Sequence, residues 1–163
     1  MNDLANFSGA PTIGLANLKT GDVTTIPGVT SGSVSGLAVD SSSQTAVAGS
    51  YEGFGLYHLG TGSGALIQPG GSTYQMPAAD PAHGEFLVEE VASPDEFGGS
   101  PNNNSMSSVL VTNESGTVLK RIEAFNFYNI YLLSMGDYLQ VNPTTSTAFA
   151  LGPGGTQLYP FHY

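Results

Sequence analysis

A fourteen-residue pattern that occurs three times constrains this chain more than any other feature. It first runs Gly36-Leu37-Ala38-Val39-Asp40-Ser41-Ser42-Ser43-Gln44-Thr45-Ala46-Val47-Ala48-Gly49, and it returns over residues 76–89 and 138–151. Each copy holds a short apolar strand, an Asp or Asn opening a turn, and a second short apolar strand. Asp40, Asp80 and Asn142 suit the turn because such side chains accept a bond from their own backbone two residues on. Pro81 and Pro143 set the next φ.

A second hairpin pattern alternates with the first. Thr12–Leu18, a turn over 19–22 and Val23–Ile26 make one copy; 53–59 with 65–67, and 108–112 with 117–122, make two more. Gly21, Gly62 and Gly116 fall at matching turn positions, where a left-handed backbone is expected. Four strands therefore form one unit, and the step from Asp40 to Asp80 sets its period at 40 residues. The next step, Asp80 to Asn142, is 62 residues and reads as one period plus a polar insertion at 93–105 and an aromatic one at 125–133. Units of four strands at this period are the signature of β-propeller blades. The fold expected is all-β, a β-propeller or partial propeller of four-stranded antiparallel blades.

Composition agrees with that class. In 163 residues, 22 glycines, 10 prolines and only 10% charged residues fit short strands joined by turns, and 40% hydrophobic residues exceed what a disordered chain carries. The organisation expected is an arm over 1–11 and one domain over 12–163. That domain divides into a partial blade at 12–28, blades at 35–68 and 74–124, and a partial blade at 137–163. About three and a quarter blades are fewer than the four to eight of most propellers. A fragment, a small closed ring, or strand exchange between copies each accounts for the count, with the C-terminal strands pairing onto the N-terminal hairpin in the last two.

The run from Ile13 to Gly28, with Leu37-Ala38-Val39-Asp40 and Leu139-Gln140-Val141-Asn142-Pro143, resembles YVTN-type and related NHL-like propeller repeats. The likeness covers most of residues 12–163. It departs at Pro77, inside a first strand, and in the swollen third unit. The resemblance implies the fold; propellers of this kind include binding proteins, scaffolds, lactonases and other hydrolases.

Charge excludes some partners. Lys19, Lys120 and Arg121 are the only Lys or Arg residues against 13 carboxylates, for a net charge of −10. Such a surface repels phosphate, so neither nucleic acid nor an anionic membrane is an expected partner. No run of about 18 apolar residues is present to span a bilayer. No basic and apolar leader opens the sequence, and there is no cysteine from which to read a redox compartment. Sequons at Asn6, Asn103 and Asn113 are possible glycosylation sites and incline the reading toward an extracellular, secreted protein.

Chemistry-bearing residues are few. Glu85, Glu89, Glu90, Asp95 and Glu96 form an acidic run that lacks cation-loop spacing and reads first as a solvated strand end. His58, His83 and His162 fall on different blades and at different levels, which argues against one metal site. No serine sits in a nucleophile elbow; Gly32-Ser33-Val34-Ser35-Gly36 lacks the glycine before its middle serine. The Gly-rich stretches at 60–64 and 152–155 lack the Lys-Ser/Thr of a phosphate loop. Neither cofactor nor metal is expected. Aromatic residues are more telling: Phe125, Phe127, Tyr128, Tyr131 and Tyr138, then Tyr159, Phe161 and Tyr163. They fit packing between blades, a partner surface or stacking on a sugar.

The function expected is a non-enzymatic scaffold or self-assembling module. It would pair strands at open blade edges through Ile13, Leu15, Leu158, Tyr159, Phe161 and Tyr163, with partners being further copies or the remaining blades of a parent chain. The alternatives are part of a larger ligand-binding or lactonase-like hydrolase propeller and, more remotely, a glycan-binding propeller.

Overall fold

Five turns built on Asx side chains set the architecture. In the computed structural model, which describes residues 13–29, 34, 36–50, 53–70, 73–91, 106–126, 139–151 and 158–163, the carboxylate of Asp40 accepts from the Ser42 amide at 2.8 Å. That of Asp80 accepts from the Ala82 amide at 3.0 Å. The Asn142 carbonyl accepts from the Thr144 amide at 3.1 Å. Asn17 and Asn113 do the same for the amides of Lys19 and Ser115 in the other hairpin type. These side chains hold the chain in a turn, so the apolar runs on either side fold back as antiparallel strands.

The first sheet pairs β1 (Ile13–Ala16) with β2 (Val23–Ile26). The second runs β3 (Gly36–Asp40), β4 (Thr45–Gly49), β5 (Phe54–His58) and β6 (Ser63–Ile67) in order. The third runs β7 (Thr73–Asp80), β8 (Glu85–Val91), β9 (Met106–Asn113) and β10 (Val118–Asn126). The fourth holds β11 (Leu139–Asn142), β12 (Thr147–Leu151) and β13 (Leu158–His162). Every ladder is antiparallel between neighbours in sequence. The first strands β3, β7 and β11 lie side by side, as around a propeller axis.

The core is three seams between sheets. Ile26, Ile13 and Leu15 of the first sheet pack on Ala46, Ala48 and Tyr57 of the second. Val47, Phe54 and Leu56 of the second pack on Phe86, Val88 and Leu110 of the third. Leu87, Val109 and Val111 of the third pack on Leu139, Ala148 and Ala150 of the fourth, with Phe161 and Tyr163 against them. A middle sheet thus buries both faces, which explains why β4 is buried at every position. Each large side chain so enclosed contributes about 1.5–3 kcal/mol.

Glycines 21, 62 and 116 carry φ of 79°, 69° and 79°, the left-handed turn the spacing predicts. The other hairpin type uses the same conformation at Gln44, Gly84 and Ser146. Pro77 is accommodated by a shift in register between Gln75 and Ala78, where β7 carries one residue more than β8. A proline cannot donate to the ladder, and a bulge removes the need. One boundary needs correcting. The aromatic run expected to begin an insertion starts inside β10, where Phe125 and Asn126 pair with Ser107 and Met106. The polar insertion and the arm at 1–11 lie outside the described residues.

Candidate functional site

Two places stand out, a polar tie between the third and fourth sheets and an uncovered face on the second. The tie centres on Asp80, fully buried at the end of β7. The Tyr163 hydroxyl donates to its Oδ2 at 2.5 Å, and His83 Nδ1 lies 2.6 Å from the same oxygen. Burial disfavours the Asp80 charge, but the bonds from Tyr163 and His83 outweigh it and hold the carboxyl below its usual range. The hydrogen bond and charge of Asp80 in turn raise His83, while burial and then the bond to Asp80 push the Tyr163 phenol well up. Asp40, its repeat equivalent, is satisfied locally by Ser42 Oγ at 2.6 Å and Ser43 Oγ at 2.9 Å, and it too lies below the usual range against the opposing effect of burial.

The uncovered face belongs to β3. Leu37 and Val39 are 50% and 47% exposed. Their equivalents in the fourth sheet are Leu139, only 4% exposed, and Val141, both packed against the third sheet. The difference follows from what precedes each sheet. The first sheet supplies only β1 and β2, which cover Ala46, Ala48 and Tyr57; among the described residues no strand pairs with β1 on the side away from β2.

The acidic run does not converge. Glu89 and Glu90 are adjacent on β8 and point to opposite faces, and both are buried, which corrects the expectation of a solvated strand end. Glu90 Oε2 accepts from Ser108 Oγ at 2.7 Å and pairs with Arg121. Glu89 Oε1 has no partner, and burial pushes its carboxyl up to about 7. Asp95 and Glu96 lie outside the described residues. The histidines stay apart: His58 and His162 end equivalent strands and are exposed, while His83 serves Asp80. Among the described residues no three His, Cys, Asp or Glu side chains come together to hold a metal.

Of the residues expected to mediate association, Ile13 and Leu15 turn toward the second sheet, and Phe161 and Tyr163 toward the third. Leu158 is 65% exposed and Tyr159 lies on the other face of β13. Asn113 holds its turn through Oδ1 and is half-buried. Asn6, Asn103, Phe127, Tyr128, Tyr131 and Tyr138 lie outside the described residues. Sequence reading missed the Tyr163–Asp80 tie and the Leu37–Val39 face. For the second a signal was present, since an apolar pair repeated at Leu139 and Val141 implies a covering strand.

Stacked four-stranded antiparallel sheets with their first strands side by side define a β-propeller fold. No family model and no curated protein sequence matches the chain. Among solved structures, it resembles a β-propeller chain of the nidogen/laminin complex, with a TM-score of 0.62 at 17% identity over 93% of this chain and 52% of that one. This chain therefore spans about half the length of that relative in fold.

Proposed function

We propose that this protein is a non-enzymatic interaction scaffold that assembles with further propeller sheets through its end sheets, and that it works outside the cell. The observation that carries the reading is the bared β3 face: Leu37 and Val39 stand where the equivalent Leu139 is buried by a neighbouring sheet and the equivalent Val141 packs against it. Sheet edges and bared apolar faces invite a partner. The resemblance to a chain from the nidogen/laminin complex supports a protein partner, and the sequons support an extracellular setting. The repeats belong by motif with the YVTN/NHL-like class.

Native mass by size-exclusion chromatography with light scattering tests this directly. Discrete oligomers are expected, and a monomer at every concentration overturns self-assembly. A second reading, in which the remaining blades come from a longer parent polypeptide of ligand-binding or lactonase type, is favoured by the 52% coverage. The length of the polypeptide at its native source decides between the two.

A further inference from the structure

The registers assign β1, β5 and β13 to one position of the repeat. Phe54 pairs with Ile67 in the second sheet as Ile13 pairs with Ile26 in the first, and Ile67 and Ile26 both face the following sheet. Gly49 pairs with Phe54 as Leu151 pairs with Leu158. All three are third strands. Two third strands run in the same direction, so laying β1 beside β13 would make a parallel pair in a molecule whose described ladders are all antiparallel. The two end strands therefore compete for one place and do not add to each other.

That place is the edge of β12. Once β1 stands there, β2 follows as a fourth strand, and β11, β12, β1 and β2 make one complete sheet. β13 brings no fourth strand among the described residues. Faces match as well as edges. Phe149 of β12 is half-buried at the position where Val47 and Leu87 are wholly buried under the following sheet. Leu37 and Val39 are bared where Ala79, Leu139 and Val141 lie under the preceding one. Phe149 and the Leu37–Val39 pair are thus the two halves of one missing seam.

Resting on the self-assembly reading above, we infer that a second copy of this chain supplies that seam, its β11–β12 hairpin docking beside β1 and over Leu37 and Val39 while its own β13 is displaced. Made twice about a two-fold axis, the contact closes a ring. Each copy brings two complete sheets and each junction builds one more, giving six, within the roughly four to eight of known propellers. Two copies also amount to about one length of the propeller chain that this one half covers. Exchange breaks the Tyr163–Asp80 bond and puts Ala16 where Phe161 packs, so β13 acts as a brake on assembly.

Disulfide trapping reads the register, because the chain has no cysteine of its own. Ala150 pairs with Tyr159 in the single chain and with the equivalent Gly14 in the exchanged sheet. Directly opposed residues fall within disulfide reach. Gly14→Cys chain mixed with Ala150→Cys chain and oxidised should give a covalent heterodimer, and Tyr163→Phe in both should raise its yield several-fold. Ala16→Cys with Ala148→Cys reads the same register if the first pair fails to fold. Dimers by light scattering without either cross-link overturn this geometry and leave self-assembly standing. Monomer throughout overturns both.

Discussion

The hydroxyl of Tyr163 donates to Oδ2 of Asp80 at 2.5 Å, joining the fourth sheet to the first strand of the third across 83 positions of sequence. The same carboxylate takes the Ala82 amide and His83. One buried acid thus shapes a turn within its own sheet and fastens the next sheet to it. Asp40, equivalent in sequence, does only the first of these.

Tyr163→Phe removes the fastening and leaves the turn. A hydrogen bond to a charged group contributes more than a neutral one, so the substitution should cost about 2 kcal/mol in urea unfolding of dilute protein. Ser42→Ala, which removes one local donor to Asp40, leaves two others in place and should cost less than half as much. Equal losses would show that Tyr163 does no more than a turn residue does.

The same cluster fixes a pH profile. Asp80 titrates below its ordinary 3.8 in the fold, so its contribution is present above that value and lost as pH falls through the folded pKa. His83 titrates above its ordinary 6.5, so its contribution is complete below 6.5 and lost as pH rises through the folded pKa. In a Glu89→Gln background, which removes that acid's own pH dependence, urea midpoints should therefore decline on both sides of a plateau. There His83→Gln should flatten the decline above pH 6.5 and also shrink the acid limb, because His83 helps hold the Asp80 carboxyl down. An unchanged alkaline limb in that variant would exclude His83.

How much of this was legible depends on range. Asp40, Asp80 and Asn142 announced their turns because an Asx turn is decided within three residues, and Gly21, Gly62 and Gly116 announced theirs for the same reason. The tie from Tyr163 to Asp80 was not legible, since it exists only once two sheets are stacked. Glu89 and Glu90 were misread because a charged pair at a strand end is ordinarily wet. In a middle sheet, neighbours cover both faces, and alternation no longer sorts wet from dry.

Glu89 gives the clearest charge effect. Its carboxyl titrates at about 7 in the fold against 4.5 ordinarily, with burial as the cause and Oε1 left without a partner. The folded state binds the proton more tightly, so stability falls as pH rises from about 4.5 to 7. Glu89→Gln should be close to neutral at pH 4.5 and stabilising by up to roughly 3 kcal/mol at pH 8. A variant that follows the parent chain at both pH values would mean that Glu89 is solvated in solution.

Two turn glycines with the same backbone separate conformation from packing. Gly21 and Gly116 both have φ of 79°. A Cβ at Gly21 meets nothing within 4 Å, whereas one at Gly116 falls 2.7 Å from Cγ1 and Cδ1 of Ile67, across the seam between the second and third sheets. Gly21→Ala should therefore carry only the left-handed penalty, about 1 kcal/mol. Gly116→Ala carries that and must also push Ile67 out of a packed core, for a further cost of about 1–3 kcal/mol. Ile67→Val in the Gly116→Ala background removes Cδ1, one of the two atoms in the way, and should recover part of the excess; in the Gly21→Ala background it should only destabilise. If the two alanine variants lose the same stability in urea, the third sheet's turn does not rest on Ile67 and the seam ends short of it.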